Sequence, residues 1–331
     1  MNAARAVIVV LALSVVAVPV AGHVPSFPTD NTSPDSAVAV PDAAKSWSFY
    51  DYIEPGEVAY YRFSLTAGER LRVGTFTPDD GSFAPSVVVM SESFDGTDGV
   101  PGRVSVPDGM GAVVVTGERP ARAEYEPFAP SATYHTASLD RPVDADAAYL
   151  VAVYEPDNRS GEVGVTVGYR EEFSPTEYLT VPFDLVQVHL WEGQSPLLVV
   201  GPFALTVLAG GVLTRRRWAD RSRSLVRGAL ALGALLVLAS GVNTAVQTGV
   251  ALTKTGPTAG VVVTALYVVV PLACGAWALW VAGRDASVTT TRTRAGLAVA
   301  ALLSVATWAG FLVGPAVLLA VAVTPTRFVD D

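Results

Sequence analysis

The sequence predicts two bodies of different class: an all-β exported domain folded as an antiparallel sandwich, and an α-helical transmembrane bundle of four helices. Three observations carry this. Residues 45–170 break into short apolar-alternating runs separated by turn chemistry, whereas residues 196–331 contain four long apolar segments. Charge divides at the same place. Residues 23–195 hold 27 Asp+Glu against 10 Lys+Arg, a net of −17, and the rest of the chain holds 4 against 12. The chain also opens with an apolar run behind a single arginine.

Residues 1–22 read as a signal peptide. Arg5 supplies the positive region, an apolar stretch from Val7 to Val20 follows, and small residues come at Ala21 and Gly22. The alternative, an uncleaved anchor, is short for a span and carries Pro19 near its end. Residues 23–44 are rich in Pro, Ser, Asp and Thr without periodicity and read as a flexible leader.

Eight strands are then expected, at 47–53, 59–65, 71–76, 86–90, 112–116, 134–139, 149–154 and 163–169. Turn pairs bound them, among them Pro55-Gly56, Ala67-Gly68, Asp108-Gly109 and Ser160-Gly161. The run Tyr149-Leu-Val-Ala-Val-Tyr154 is almost continuously apolar, as in a strand at the middle of a sheet. The one cysteine, Cys274, lies in an apolar segment, so the exported domain is expected to stand without disulfides.

Two stretches carry a resemblance. Tyr60-Tyr-Arg-Phe-Ser-Leu-Thr-Ala-Gly-Glu-Arg-Leu-Arg-Val73 resembles the opening hairpin of bacterial pre-peptidase C-terminal domains. Tyr149–Tyr154, the Gly161 turn and Gly164-Val-Thr-Val-Gly-Tyr169 resemble their closing hairpin, so the likeness covers 46–170. It implies a jelly-roll-like sandwich that serves as an accessory or binding module rather than a catalyst. Where that family carries an acidic pair before its middle strand, this chain has Ala84-Pro-Ser-Val-Val-Val-Met90. Residues 171–195 form a membrane-proximal segment. Gly168-Tyr-Arg-Glu-Glu-Phe173, Pro182-Phe-Asp184 and His189-Leu-Trp-Glu-Gly-Gln194 are similar to such a segment in uncharacterised multi-pass proteins, a likeness that names no activity.

The apolar segments span 196–214, 228–247, 260–282 and 296–323, and none contains a charged residue. Arg215, Arg216, Arg217, Arg221, Arg223 and Arg227 crowd the first connection, Arg284, Arg292 and Arg294 the third, and Lys254 alone the second. Positive loops stay inside. Loops 215–227 and 283–294 are therefore expected in the cytoplasm of a multi-pass cell-membrane protein, with residues 23–195 and the terminal Asp330-Asp331 outside. Within the segments, Gly310 and Gly314 have the spacing of close helix packing. Pro271 and Pro315 are expected to kink their helices. Asn243, Thr244 and Gln247 form an amide-bearing cluster, read as interhelical bonding or interfacial exposure in preference to a substrate path.

Chemistry is sparse. Asp184, His189, Trp191 and Glu192 are the membrane-proximal candidates, a polar face against headgroups with Trp191 as interfacial anchor, in preference to a metal site. Asp95 and Asp98 lack the further ligands of a calcium loop and read as a solvated acidic turn. Asn31 and Asn158 stand in glycosylation sequons. No nucleophile, metal-pair or nucleotide motif occurs. The expectation is thus neither enzyme nor cofactor. Lys45 and Lys254 are the only lysines among 22 basic residues. That bias with an acidic surface reads as adaptation to molar salt, where carboxylates repel weakly, with a GC-rich genome as the alternative. A domain at −17 excludes nucleic acid as a partner. Besides the lipid bilayer, the expected partner is an extracellular ligand, envelope component or protein; the alternative is a transporter or channel component capped by the sandwich.

Overall fold

A computed structural model describes residues 22–78, 81–218, 224–284 and 290–324. The signal-peptide reading, Arg221, Arg223 and the terminal aspartates lie outside the described residues.

Eleven strands make two sheets among the described residues. The strands are β1 (Val24–Ser26), β2 (Val38–Ala39), β3 (Trp47–Ile53), β4 (Val58–Leu65), β5 (Arg70–Thr77) and β6 (Ser86–Ser91), followed by β7 (Gly111–Val115), β8 (Glu124–Glu126), β9 (Ser131–Pro142), β10 (Ala147–Tyr154) and β11 (Gly161–Val167). One sheet runs β1-β3-β11-β5-β9-β8 and the other β2-β4-β10-β6-β7. Their inner faces share one core: Phe49, Val73 and Val165 from the first sheet meet Tyr61, Val89 and Val151 from the second.

The leader is a correction. Residues 23–44, expected to be flexible, supply β1, paired parallel with β3 from Val24 opposite Trp47, and β2, paired parallel with β4. Edge pairing satisfies backbone groups that composition alone leaves uncounted. The pairing pattern is therefore mixed, antiparallel throughout except at these two edges.

The continuous apolar run of β10 has a direct cause. Its second face is also covered: Leu150, Ala152 and Tyr154 join Tyr60, Val88 and Met90 beneath Val100, Val104 and Met110 of the long loop after β6. That loop contains Asp95 and Asp98, so its carboxylates decorate a lid over the sheet.

Among the described residues six α-helices follow: α1 (Pro175–Trp191), α2 (Pro196–Arg217), α3 (Leu225–Thr255), α4 (Val261–Ala282), α5 (Thr291–Ala306) and α6 (Val313–Val323), with a 3-10 turn at Ala309–Leu312 before α6. Helices α2, α3 and α4 are long and apolar enough to cross a membrane. At 1.5 Å per residue α3 is about 46 Å long and outreaches a hydrocarbon core of about 30 Å. Its far end meets the sandwich, where Ala251 packs with Ala132 and Tyr134 and Lys254 Nζ donates to the Pro78 carbonyl at 3.3 Å.

The expected fourth span is two helices. Trp308, Gly310, Phe311 and Leu312 all have positive φ, and α6 turns back. Gly310 N–H donates to Ser240 Oγ, Gly314 lies against Val237 and the Gly233 carbonyl, and Val317 lies against Gly233. Rising numbers on α6 meet falling numbers on α3, so the two run antiparallel. The described chain accordingly ends at the Arg215–Arg217 end of the bundle, not at the sandwich end as expected for the C-terminus. The break sits at Trp308–Leu312 rather than at Pro315, because Pro315 occupies the first turn of α6, where its missing N–H costs no hydrogen bond.

Candidate functional site

Helix α1 positions the site. Ser174 caps it, accepting from the Glu177 N–H while the Glu177 carboxylate accepts from the Ser174 N–H, a reciprocal capping box. Lys45, next to β3, pairs with the same carboxylate and fixes the helix start against the sheet. At the other end the Trp191 indole N–H donates to the Asp51 carbonyl at 2.7 Å, and its ring meets Tyr50 and Phe76 edge-on. Trp191 is therefore a rivet into the sandwich, which corrects its reading as a headgroup anchor. Leu179, Phe183 and Leu190 remain exposed on the face of α1 turned away from the sheet.

Between α1 and the outer face of the six-stranded sheet lies a cavity of about 90 Å³, room for a handful of waters. Ser48, Tyr50 and Thr166 reach it because Phe49, Val165 and Val167, their neighbours along the strands, point into the core. Gly164 makes room for Phe76: a β-carbon there would sit 2.0 Å from the ring. His135 arrives by a bulge. Thr75 pairs with Ala137 but Phe76 pairs with His135, so Thr136 is the extra residue on β9. Thr136 bonds Thr75 Oγ1 at 2.9 Å and the Pro85 carbonyl at 2.8 Å inside the sandwich, and His135 turns outward.

Charge in the cavity is disfavoured on histidine. His23, whose Nδ1 lies 2.5 Å from Ser46 Oγ, and His135 both line the cavity with side chains that remain exposed; partial desolvation by the protein around them lowers both imidazoles from the ordinary value. Burial likewise raises the Glu126 carboxyl and the Tyr50 phenol. Glu126 accepts from the Phe128 N–H at 3.0 Å.

The membrane-proximal candidates separate. His189 and Glu192 come together, with Nδ1 2.9 Å from Glu192 Oε2 and both side chains almost fully buried. Gln194 Nε2 adds a second donor to that oxygen at 3.0 Å, while Oε1 has no partner. Asp184 stands apart, half-buried beside Thr180, and burial raises its carboxyl. Among the described residues no group of three His, Cys, Asp or Glu is arranged to hold a metal.

A second cavity of about 100 Å³ lies deeper, against His189, Tyr267 and the amide cluster. Gln247 Nε2 donates to the Leu198 carbonyl at 3.3 Å, while Gln247 Oε1 and Asn243 Oδ1 are buried without partners. Trp308 and Phe128 wall both cavities.

The remaining sequence-selected residues play other parts. Asn31 is buried, its amide donating to Asp51 Oδ2 at 3.0 Å and its carbonyl accepting from Tyr60 N–H, so the fold leaves no room for a glycan there. Asn158 is exposed in a turn with φ of 59° and accepts from Arg103. Gly310 and Gly314 are both in close contact with α3, Gly310 from the left-handed turn and Gly314 from α6. Sequence reasoning missed Tyr50, Glu126 and His135 as site residues. The only signal was polar and aromatic residues at outward positions of a sheet whose inward positions are apolar.

No known protein family matches the chain, and no curated protein does. Among solved structures a chain described as pT26-6p is 9% identical, with 84% of this chain covered at a TM-score of 0.14. The alignment spans 49% of that protein. A score this low carries no argument about fold or function.

Proposed function

We propose that the protein is a cell-surface binding protein: an acidic sandwich outside the membrane, held by the helices, that takes an extracellular ligand, envelope component or partner at its junction with α1. The observation that carries this is the closure of α1 over the sheet's outer face, which gathers His23, Tyr50, Glu126, His135 and Glu192 around one cavity. Apolar walls with a few convergent polar groups are the common form of a small-molecule site. Sidedness is supported by Arg215, Arg216, Arg217, Arg284, Arg292 and Arg294, which stand at helix ends opposite to those that meet the sandwich. The jelly-roll-like, pre-peptidase-like reading of the sandwich belongs to this proposal and agrees with a binding role.

The test is native mass spectrometry of the full chain released from its own membrane. Thr133 lines the cavity; a bound mass that disappears in Thr133→Phe, a substitution that fills the cavity, supports the reading, and a chain that carries no ligand, or one retained by Thr133→Phe, contradicts it. The unpartnered Asn243 and Gln247 oxygens favour a second reading, a transporter or channel component capped by the sandwich. Asn243→Ala and Gln247→Ala separate the two, since altered solute flux in liposomes belongs to the second reading alone.

A further inference from the structure

The junction cavity has an electrostatic character that narrows what it holds. Two carboxylates, Glu126 and Glu192, line it, and among the described residues no lysine or arginine does. Five aromatic rings, Tyr50, Phe76, Phe128, Phe173 and Trp308, complete the walls. Glu192 carries the decisive asymmetry. Its side chain is 6% exposed, its Oε2 receives both His189 Nδ1 and Gln194 Nε2, and its Oε1 receives nothing. A buried carboxylate oxygen without a donor costs free energy unless a ligand supplies one. Glu192 also borders a neighbouring cleft that holds Lys254, but that ammonium donates to the Pro78 carbonyl.

We propose that the cavity binds an organic ammonium ion, with Glu192 and Glu126 as counter-charges and the aromatic walls as its cage. This rests on the junction cavity being the binding site and adds the chemical class. The negative faces of aromatic rings attract cations at short range, and a desolvated site strengthens that attraction. An anion would meet two carboxylates and no lysine or arginine in the lining, Arg72 acting on the two histidines from outside it. A metal ion requires a set of oxygen or nitrogen ligands, and none is assembled among the described residues. The two histidines, whose imidazoles partial desolvation lowers, do not favour a competing positive charge.

The experiment is calorimetric titration of the full chain in phosphatidylglycerol nanodiscs, a lipid without an ammonium group. The probes are choline chloride and its uncharged isostere 3,3-dimethylbutan-1-ol, at equal total salt. Choline is expected to bind about tenfold more tightly than the alcohol. Glu192→Gln and Glu126→Gln are each expected to weaken choline about fivefold or more and to leave the alcohol unchanged. A melting temperature within error of the parent establishes that each variant is folded, and the two variants report independently. Equal affinity for both probes overturns the ammonium assignment while leaving the cavity as a binding site. Undiminished choline binding in both variants overturns it as well, as does no binding of choline. A failure of the wider reading is separate, because the mass measurement then finds no cavity-bound ligand of any class.

Discussion

The Trp191 indole N–H donates to the Asp51 carbonyl across 2.7 Å, joining the last turn of α1 to β3. Asp51 is itself held by Asn31 and Tyr61, at 3.0 Å each, so one short stretch of β3 connects leader, sandwich and membrane-proximal helix. Trp191→Phe keeps an aromatic ring toward Tyr50 and Phe76 and removes the hydrogen bond together with one ring of the indole. It should cost about 1 kcal/mol, against about 3 kcal/mol or more for Trp191→Ala. Thermal unfolding of the full chain in detergent reads the difference; no loss in Trp191→Phe contradicts the bond's role, and equal losses in the two variants contradict the ring's.

The lowered imidazoles of His23 and His135 make stability depend on pH. A histidine whose folded value lies below the unfolded value resists protonation in the native state. Its contribution is complete above about pH 6.5 and is lost as pH falls below that value toward the lowered one. Glu171 beside His23 and Glu124 beside His135 raise the imidazoles and Arg72 lowers them, both less than burial does. Glu126 and Asp51 have raised carboxyls and act in the opposite sense, holding protons more tightly when folded. The melting temperature should drop between about pH 7 and about pH 5.5, and the double variant His23→Gln, His135→Gln should flatten that limb.

Helices α3 and α4 meet through Gly275. A β-carbon there would lie 2.7 Å from the backbone nitrogen of Leu238 and 2.8 Å from the Ala234 carbonyl. Backbone cannot give way as a flexible side chain does. Gly275→Val should therefore destabilise the bundle by about 1–3 kcal/mol. Gly211→Val is the control, because nothing lies within 4 Å of its β-carbon position. Melting of the two purified variants separates them.

The α5–α6 reversal predicts the side of the membrane toward which α6 runs. With α6 antiparallel to α3, an epitope appended after residue 331 should be reached by antibody only after permeabilisation. Staining of intact cells would contradict the hairpin and favour the continuous fourth span.

Periodicity made the body of the sandwich legible, since β3, β4, β5, β6, β10 and β11 follow alternation that burial on one or both faces imposes. It did not reach β1 and β2, whose two or three residues pair at sheet edges through backbone groups and leave no pattern in side chains. Nor did it place His135. Strict alternation from Leu139 and Ala137 puts His135 in the core, and only the bulge at Thr136 moves it to the cavity. Hydropathy located the apolar segments but not the reversal, because Trp308, Phe311 and Leu312 adopt left-handed backbone that their side chains do not favour and tertiary packing imposes. His189 and Glu192 were visible as candidates through their spacing on one helix. The convergence of Glu192 with Glu126, far away in sequence, depends on the docking of α1 and has no local signature.

The placement of the sandwich outside the membrane is the claim on which the functional reading stands. Its most direct test uses single cysteines in a Cys274→Ala background, at Thr97 in the exposed loop after β6 and at Ser224 at the start of α3, labelled on intact cells with a membrane-impermeant maleimide. Thr97→Cys should label at once and Ser224→Cys only after lysis. Labelling of Ser224→Cys on intact cells with Thr97→Cys protected would invert the topology and contradict a surface-binding role.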